Sequence, residues 1–91
     1  MNKLIDVGSI VKAIAGRDDG QYFVVIEKIN EEYVLIANGK NRSMAKPKKK
    51  KIKHLKSIGV KIDSIADKLL DGKKVLDFEV LSAIKECLPK D

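Results

Sequence analysis

Residues 8–36, GSIVKAIAGRDDGQYFVVIEKINEEYVLI, decide the fold. Gly8 to Ile14 alternates, with Ile10, Lys12 and Ile14 on one side of an extended chain and Val11 and Ala13 on the other, the period-two pattern of a strand. Gly16 and Gly20 bracket the turn AGRDDG, where glycine tolerates positive φ and close backbone approach. Gln21 to Ile29 is rich in β-branched and aromatic residues and is the strongest strand of the chain. NEE then turns the backbone, and Tyr33 to Ala37 is a second apolar strand of hairpin length. Beyond it, Asn38-Gly39 opens a loop that is expected to run through Lys51, with Pro47 forbidding a regular helix or central strand around it. Ile52 to Leu55 alternates again, as a further strand. Four or five short strands with glycine-marked turns, inside about 57 residues, predict a small barrel.

The texture changes after Gly59. Ile62, Ile65, Ala66, Leu69 and Leu70 fall at the spacing of one helix face, with Ser64 and Asp67 spaced as a capping box, Asp63 as a competing cap and Gly72 as the stop. A second helix follows the same plan: Asp77 as cap, Val80, Leu81, Ile84, Cys87 and Leu88 on one face, and Pro89 beyond the end. Two helices this short cannot bury their stripes alone, so they must fold over the barrel or against each other. The expected organisation is therefore mainly β with α: a barrel over residues 1–57, including a basic loop at 38–51, and a helical extension over 58–91.

Ninety-one residues leave little room for a deep active-site cleft. Hydrophobic residues at 44% and charged ones at 35% describe a folded, water-facing chain. No uninterrupted apolar run exceeds five residues, far short of the ~18–20 that cross a bilayer. The opening MNKLIDVGS is broken at Asp6 and does not read as a signal peptide. One cysteine, Cys87, excludes an internal disulfide or a multi-cysteine zinc site, and the expected compartment is the cytoplasm.

The net charge of +6 is unevenly held. From Tyr33 to Ile62 there are ten Lys or Arg and no Asp or Glu, whereas the rest of the chain carries nine basic and thirteen acidic residues. A partner that recognises this protein by charge should meet it in that third of the sequence.

The run from Gly8 to Ile36 resembles a KOW motif, the glycine-centred hairpin unit of several ribosomal proteins and transcription elongation factors. The matching features are Gly8 before the first strand, the Gly16-to-Gly20 turn, the strand Tyr22 to Ile26 and the closing YVLI. Residues 8–55 as a whole are similar to the archaeal and eukaryotic large-subunit ribosomal protein fourteen family, with Val11, Ala15-Gly16-Arg17, Gly20 and Val24-Val25 in order, a basic loop, and the pair His54-Leu55. The resemblance implies an SH3-like barrel and binding to RNA, above all ribosomal RNA of the large subunit. In the turn, Asp18 and Asp19 stand beside Arg17 where many KOW proteins carry lysines, and the helical tail from Ile62 has no residue-by-residue counterpart.

The candidate RNA-binding residues are Lys40, Arg42, Lys46, Lys48, Lys49, Lys50, Lys51, Lys53 and Lys56, joined by Arg17 and His54. A basic loop can be merely a solvated surface, but such surfaces usually mix signs, and four like charges in a row are relieved by a polyanion. Contacts of this kind grip the phosphate backbone without reading sequence. Arg17 reads first as the exposed corner of a tight turn paired with Asp18 or Asp19, and His54 first as a structural or solvent-facing imidazole, with an RNA contact the second reading of each. Tyr22, Phe23 and Phe78 sit in apolar patterns that read as core, leaving Tyr33 as a weak stacking candidate. Cys87 lies on an apolar helix face with no histidine near it in sequence, the setting of an inert thiol. No phosphate-cradling GxxxxGK[ST] loop is present, a lone histidine cannot anchor a metal cluster, and no paired-carboxylate site is discernible, so neither catalysis nor a cofactor has support. The favoured function is docking of the lysine-rich segment on structured RNA, above all ribosomal RNA, within translation. The alternative is a protein-interaction module whose partner binds the barrel or the C-terminal helices.

Overall fold

The computed structural model describes residues 5–88. Met1–Leu4 of the opening segment and the stop assigned to Pro89 lie outside the described residues. Among the described residues, five strands form one antiparallel sheet in the order β4-β3-β2-β1-β5: β1 (Ser9–Ala13), β2 (Tyr22–Lys28), β3 (Tyr33–Ala37), β4 (Lys48–Lys51) and β5 (Leu55–Lys61). Two helices follow, α1 (Asp63–Leu70) and α2 (Asp77–Cys87). Register shifts between Ser9 and Val11 and between Val25 and Glu27 bend β1 and β2, the local irregularity that lets a sheet curl.

The curl encloses a core to which every strand but β4 contributes apolar side chains. Val11 and Ala13 of β1, Phe23 and Val25 of β2, Val34 and Ile36 of β3, Leu55 of β5, and Ile5 and Ile52 from flanking segments form one buried cluster. First and last strands meeting in one interior is the signature of an SH3-like barrel. The opposite face is also covered. Ile10 and Val24 point outward, under Ile65, Val75, Val80, Ala83 and Ile84 of the helical tail. Burial on both faces explains why IVKAI and YFVVI read as near-continuous apolar runs.

Two close approaches seat the helices. At Gly8, which has φ 88°, a Cβ would stand 2.7 Å from Ala66 Cβ of α1, and the Gly8 carbonyl accepts from Ile62 N at 2.9 Å. At Gly39, with φ 78°, a Cβ would fall 2.4 Å from the Asp77 carbonyl oxygen of α2. Neither position tolerates a side chain without moving a helix.

Several expectations need correction. The lysine tract Lys48–Lys51 is a strand, not the end of the loop, and Ile52–His54 is a 3-10 turn, not a strand. Pro47 does not prevent this, because β4 begins after it and is an edge strand. The expected division after residue 57 falls inside β5, which continues to Lys61. The predicted caps also do not form. Neither helix has a side-chain cap from Ser64, Asp63 or Asp77; instead Glu79 accepts from Leu76 N at 2.9 Å, and Asp77 Oδ1 accepts from Met44 N at 2.6 Å. Finally, Phe78 is 71% exposed, and Tyr22 is only half-buried. Gly72 ends α1 as expected, with Lys73 N donating to the Lys68 carbonyl at 2.8 Å and Gly72 N to the Leu69 carbonyl at 3.2 Å.

Candidate nucleic-acid interface

The four consecutive lysines divide by the period of a strand. In the antiparallel pair β3–β4, Lys50 faces Val34 and Lys48 faces Ile36, so both share the face that holds the barrel core. Lys51 faces Tyr33 and Lys49 faces Leu35 on the other side. The inward pair is received by Asp18, from the turn between β1 and β2. Its carboxylate is 5% exposed, accepts a hydrogen bond from Lys48 Nζ and lies 3.7 Å from Lys50 Nζ, which also donates to the Ala15 carbonyl at 3.1 Å. Lys50 is thereby buried, at 8% exposure. The hydrogen bond from Lys48 holds the Asp18 carboxyl below its ordinary value, burial opposes this, and Lys48, Lys50 and Arg42 add Coulombic attraction. One carboxylate thus sits among three cations, a cluster that remains net positive.

The outward pair lies against an aromatic ring. Lys49 Nζ is 4.5 Å and Lys51 Nζ 5.9 Å from the Tyr33 centroid, within cation–π range. Tyr33 is half-buried at the start of β3, held by an Asn30 side chain that accepts from Glu32 N at 2.8 Å and Tyr33 N at 2.9 Å.

Of the other candidates, Arg17, Lys40, Lys46, Lys53 and Lys56 are exposed, and Arg42 and His54 are half-buried. The loop carrying Lys40 and Arg42 is built on Asn38, whose side-chain carbonyl oxygen accepts from Lys40 N at 3.0 Å and Arg42 N at 3.1 Å. The Arg42 Nε is buried and finds no hydrogen-bond partner among the described residues. The Arg17 turn, remote in sequence, abuts the lysine strand through Asp18 and Ala15. His54 stands in the 3-10 turn, where its backbone carbonyl accepts from Ile14 N at 2.9 Å.

A segment free of acids in sequence is not free of them in space. Asp18 takes Lys48 and Lys50, Asp77 takes the Met44 amide, and Glu31 and Glu32 line a small hollow with Lys51 and Lys53. Strand pairing also brings in residues that inspection of the basic segment misses. Lys12 lies directly opposite Lys56 on β5 and opposite Tyr22 on β2, with Nζ 5.8 Å from the Tyr22 ring. The signal for Lys12 was a lone cation inside an apolar strand. Cys87 packs partly buried beside the outer core, where burial and then Glu86 push its thiol up, which suits a packing role and not a nucleophile.

The curled five-stranded sheet, the glycine turn between β1 and β2 and the cation-rich edge define a KOW-type SH3-like barrel extended by two helices. No family model matches the chain. It is 34% identical over 86 residues to large ribosomal subunit protein eL14 of Pyrobaculum calidifontis, covering 93% of this chain and 76% of that protein. It is 32% identical to the eL14 protein of Staphylothermus marinus, over 88% of this chain and 76% of the relative, and 29% identical to that of Aeropyrum pernix, over 94% and 79%. The chain belongs to the eL14 family of large ribosomal subunit proteins. Alignments over 93% of the chain also supply the counterpart for the helical tail that residues 8–55 alone did not reveal.

Proposed function

We propose that this protein is a component of the large ribosomal subunit that grips the phosphate backbone of folded ribosomal RNA. The observation that carries the reading is the division of the lysine tract. Lys48 and Lys50 are fixed on Asp18, so β4 is held as a stiff edge, and Lys49 and Lys51 project from it with Lys46, Lys53 and Arg17 nearby in the chain or across the turn. Preorganised cations lose less side-chain freedom on docking than cations on a mobile loop. Contacts of this type fix position and register, and shape supplies the selectivity.

The test is binding of the full chain to purified large-subunit ribosomal RNA over a range of salt concentrations. Lys49→Glu with Lys51→Glu should weaken binding and reduce the log–log salt slope by ~0.7–0.9 for each phosphate that is no longer neutralised. Unchanged affinity and slope in a folded variant would refute the reading. Replacing all four lysines is a poorer experiment, because it also strips Asp18 of its partners.

A second reading is favoured by Leu70 and Phe78, which are 72% and 71% exposed on a tail that also carries Asp63, Glu79 and Glu86. Exposed apolar side chains on both helices suit a hydrophobic contact with a neighbouring protein. Phe78→Ser, and not a change at Leu81 (which packs against Gly39), tests this by loss of a salt-resistant protein partner with RNA binding intact.

A further inference from the structure

Between the sheet's outer face and α2 lies a cleft of about 250 Å³ lined by Tyr22, Gln21, Leu81, Ile84, Lys40 and Lys85, among others. Tyr22 and the leucine and isoleucine side chains form an apolar wall, while Gln21, Lys40 and Lys85 are all exposed at its rim. Lys12 lies across β1–β2 from Tyr22 with its ammonium 5.8 Å from the ring, and Lys56 stands directly opposite Lys12 on β5. Like charges facing each other across strands destabilise a sheet unless an anion joins them. The arrangement thus combines a planar aromatic surface, one amide able to donate and accept, two cations at the rim of the cleft and a third near the ring.

We propose that this cleft takes a single unpaired nucleotide of the bound RNA, its base against the Tyr22 ring, its edge toward the Gln21 amide and its phosphates between Lys12, Lys40 and Lys85. The inference rests on the RNA-binding reading above and deepens it, adding one point of base contact to a grip that otherwise meets only the backbone. An inorganic anion would use the lysines and leave the apolar wall wet; an alkyl ligand would cover the wall and leave the cations uncompensated. A nucleotide has both parts. The volume is below the ~300–1,000 Å³ of drug-sized sites, which suits one base and excludes a stacked pair.

The experiment is an NMR titration of the full chain with each of AMP, GMP, CMP and UMP, and separately with ribose 5-phosphate, following the Tyr22 ring protons and the Gln21 side-chain amide. Saturable shifts with at least one nucleotide, absent with ribose 5-phosphate, are expected. Tyr22→Leu, which keeps an apolar side chain against the helix, should weaken that binding ~10-fold or more by removing the stack. Gln21→Ala, at an exposed position outside the core, should weaken it without altering the fold. Equal shifts from ribose 5-phosphate, or none from any nucleotide up to its solubility, would overturn the proposal. The two readings fail separately. RNA binding that keeps its Lys49- and Lys51-dependent salt slope while no nucleotide reaches Tyr22 removes this inference alone. Nucleotide binding at Tyr22 without that slope removes the strand-edge grip.

Discussion

Asp18 shows how one residue can reassign its neighbours. In sequence it is an acid beside Arg17, a natural partner for it in a tight turn. In the folded chain it is buried and accepts from Lys48, with Lys50 close by, so two members of the basic tract become internal supports. Asp18→Asn should cost ~3 kcal/mol in denaturant unfolding, the low end for breaking a buried pair, because Lys48 keeps partial access to water. The pH dependence has a definite sign. The folded carboxyl is held below its ordinary value, first by the Lys48 hydrogen bond, so its contribution is complete above the unfolded value of ~3.9. As pH falls through that value the unfolded chain takes up the proton first, and the contribution is gone once pH passes below the folded value. The acid limb of a stability profile should therefore be shallower in Asp18→Asn than in the parent below about pH 4.

At the scale of the element, β4 and the glycine positions carry the testable consequences. A strand of four lysines is intelligible because alternation sends each pair to a different environment, one to Asp18 and one to Tyr33. Lys50→Ala should lower thermal stability by ~1–3 kcal/mol, because the Ala15 carbonyl loses this donor while Asp18 keeps Lys48, whereas Lys49→Ala should leave the melting transition within ~0.5 kcal/mol of the parent. Gly39→Ala meets the Asp77 carbonyl and forces a left-handed backbone on a Cβ, and should destabilise by more than the ~1–2 kcal/mol of the backbone term alone. Gly20→Ala, where among the described residues no atom beyond its chain neighbours comes within 4 Å of the added carbon, isolates that backbone term as the control. Urea unfolding of the two variants side by side gives the difference.

At the scale of the whole molecule, two buried clusters lie on either side of one sheet. Helices of eight and eleven residues are not stable alone in water, and β1 and β2 present Ile10 and Val24 to them. A truncation after Lys61 would uncover both side chains, each worth ~1.5–3 kcal/mol of burial, together with the apolar cluster around them. The truncated chain should lose its cooperative thermal transition by circular dichroism, and retention of that transition would mean the barrel stands without its tail.

Much of this was legible in the order of residues. The strands β1 to β3, the turn at Gly16 to Gly20 and both helices follow from short-range periodicity, which depends only on side chains a few residues apart. The resemblance carried by Val11, Ala15-Gly16-Arg17, Gly20 and Val24-Val25 led to the right family for the same reason: these residues satisfy a local hairpin geometry. What sequence could not supply was pairing across distance. Lys48–Lys51 has no apolar alternation and reads as loop, and only its ladder with β3 makes it a strand. Asp77 belongs by position to a helix cap, yet it accepts from Met44, 33 residues away. Phe78 fits an apolar pattern and is exposed, because α2 turns its Val80, Ala83 and Ile84 side toward the sheet. Tyr22 and Lys12 became a pair, and Lys12 and Lys56 another, only through strand register. Sequence by itself determined β1 to β3, both helices, the concentration of positive charge and the family, since these rest on composition and on neighbours along the chain. Tertiary structure alone decided which cations are held inside and which face outward, because that depends on carboxylates and rings brought from distant parts of the chain into hydrogen-bonding range.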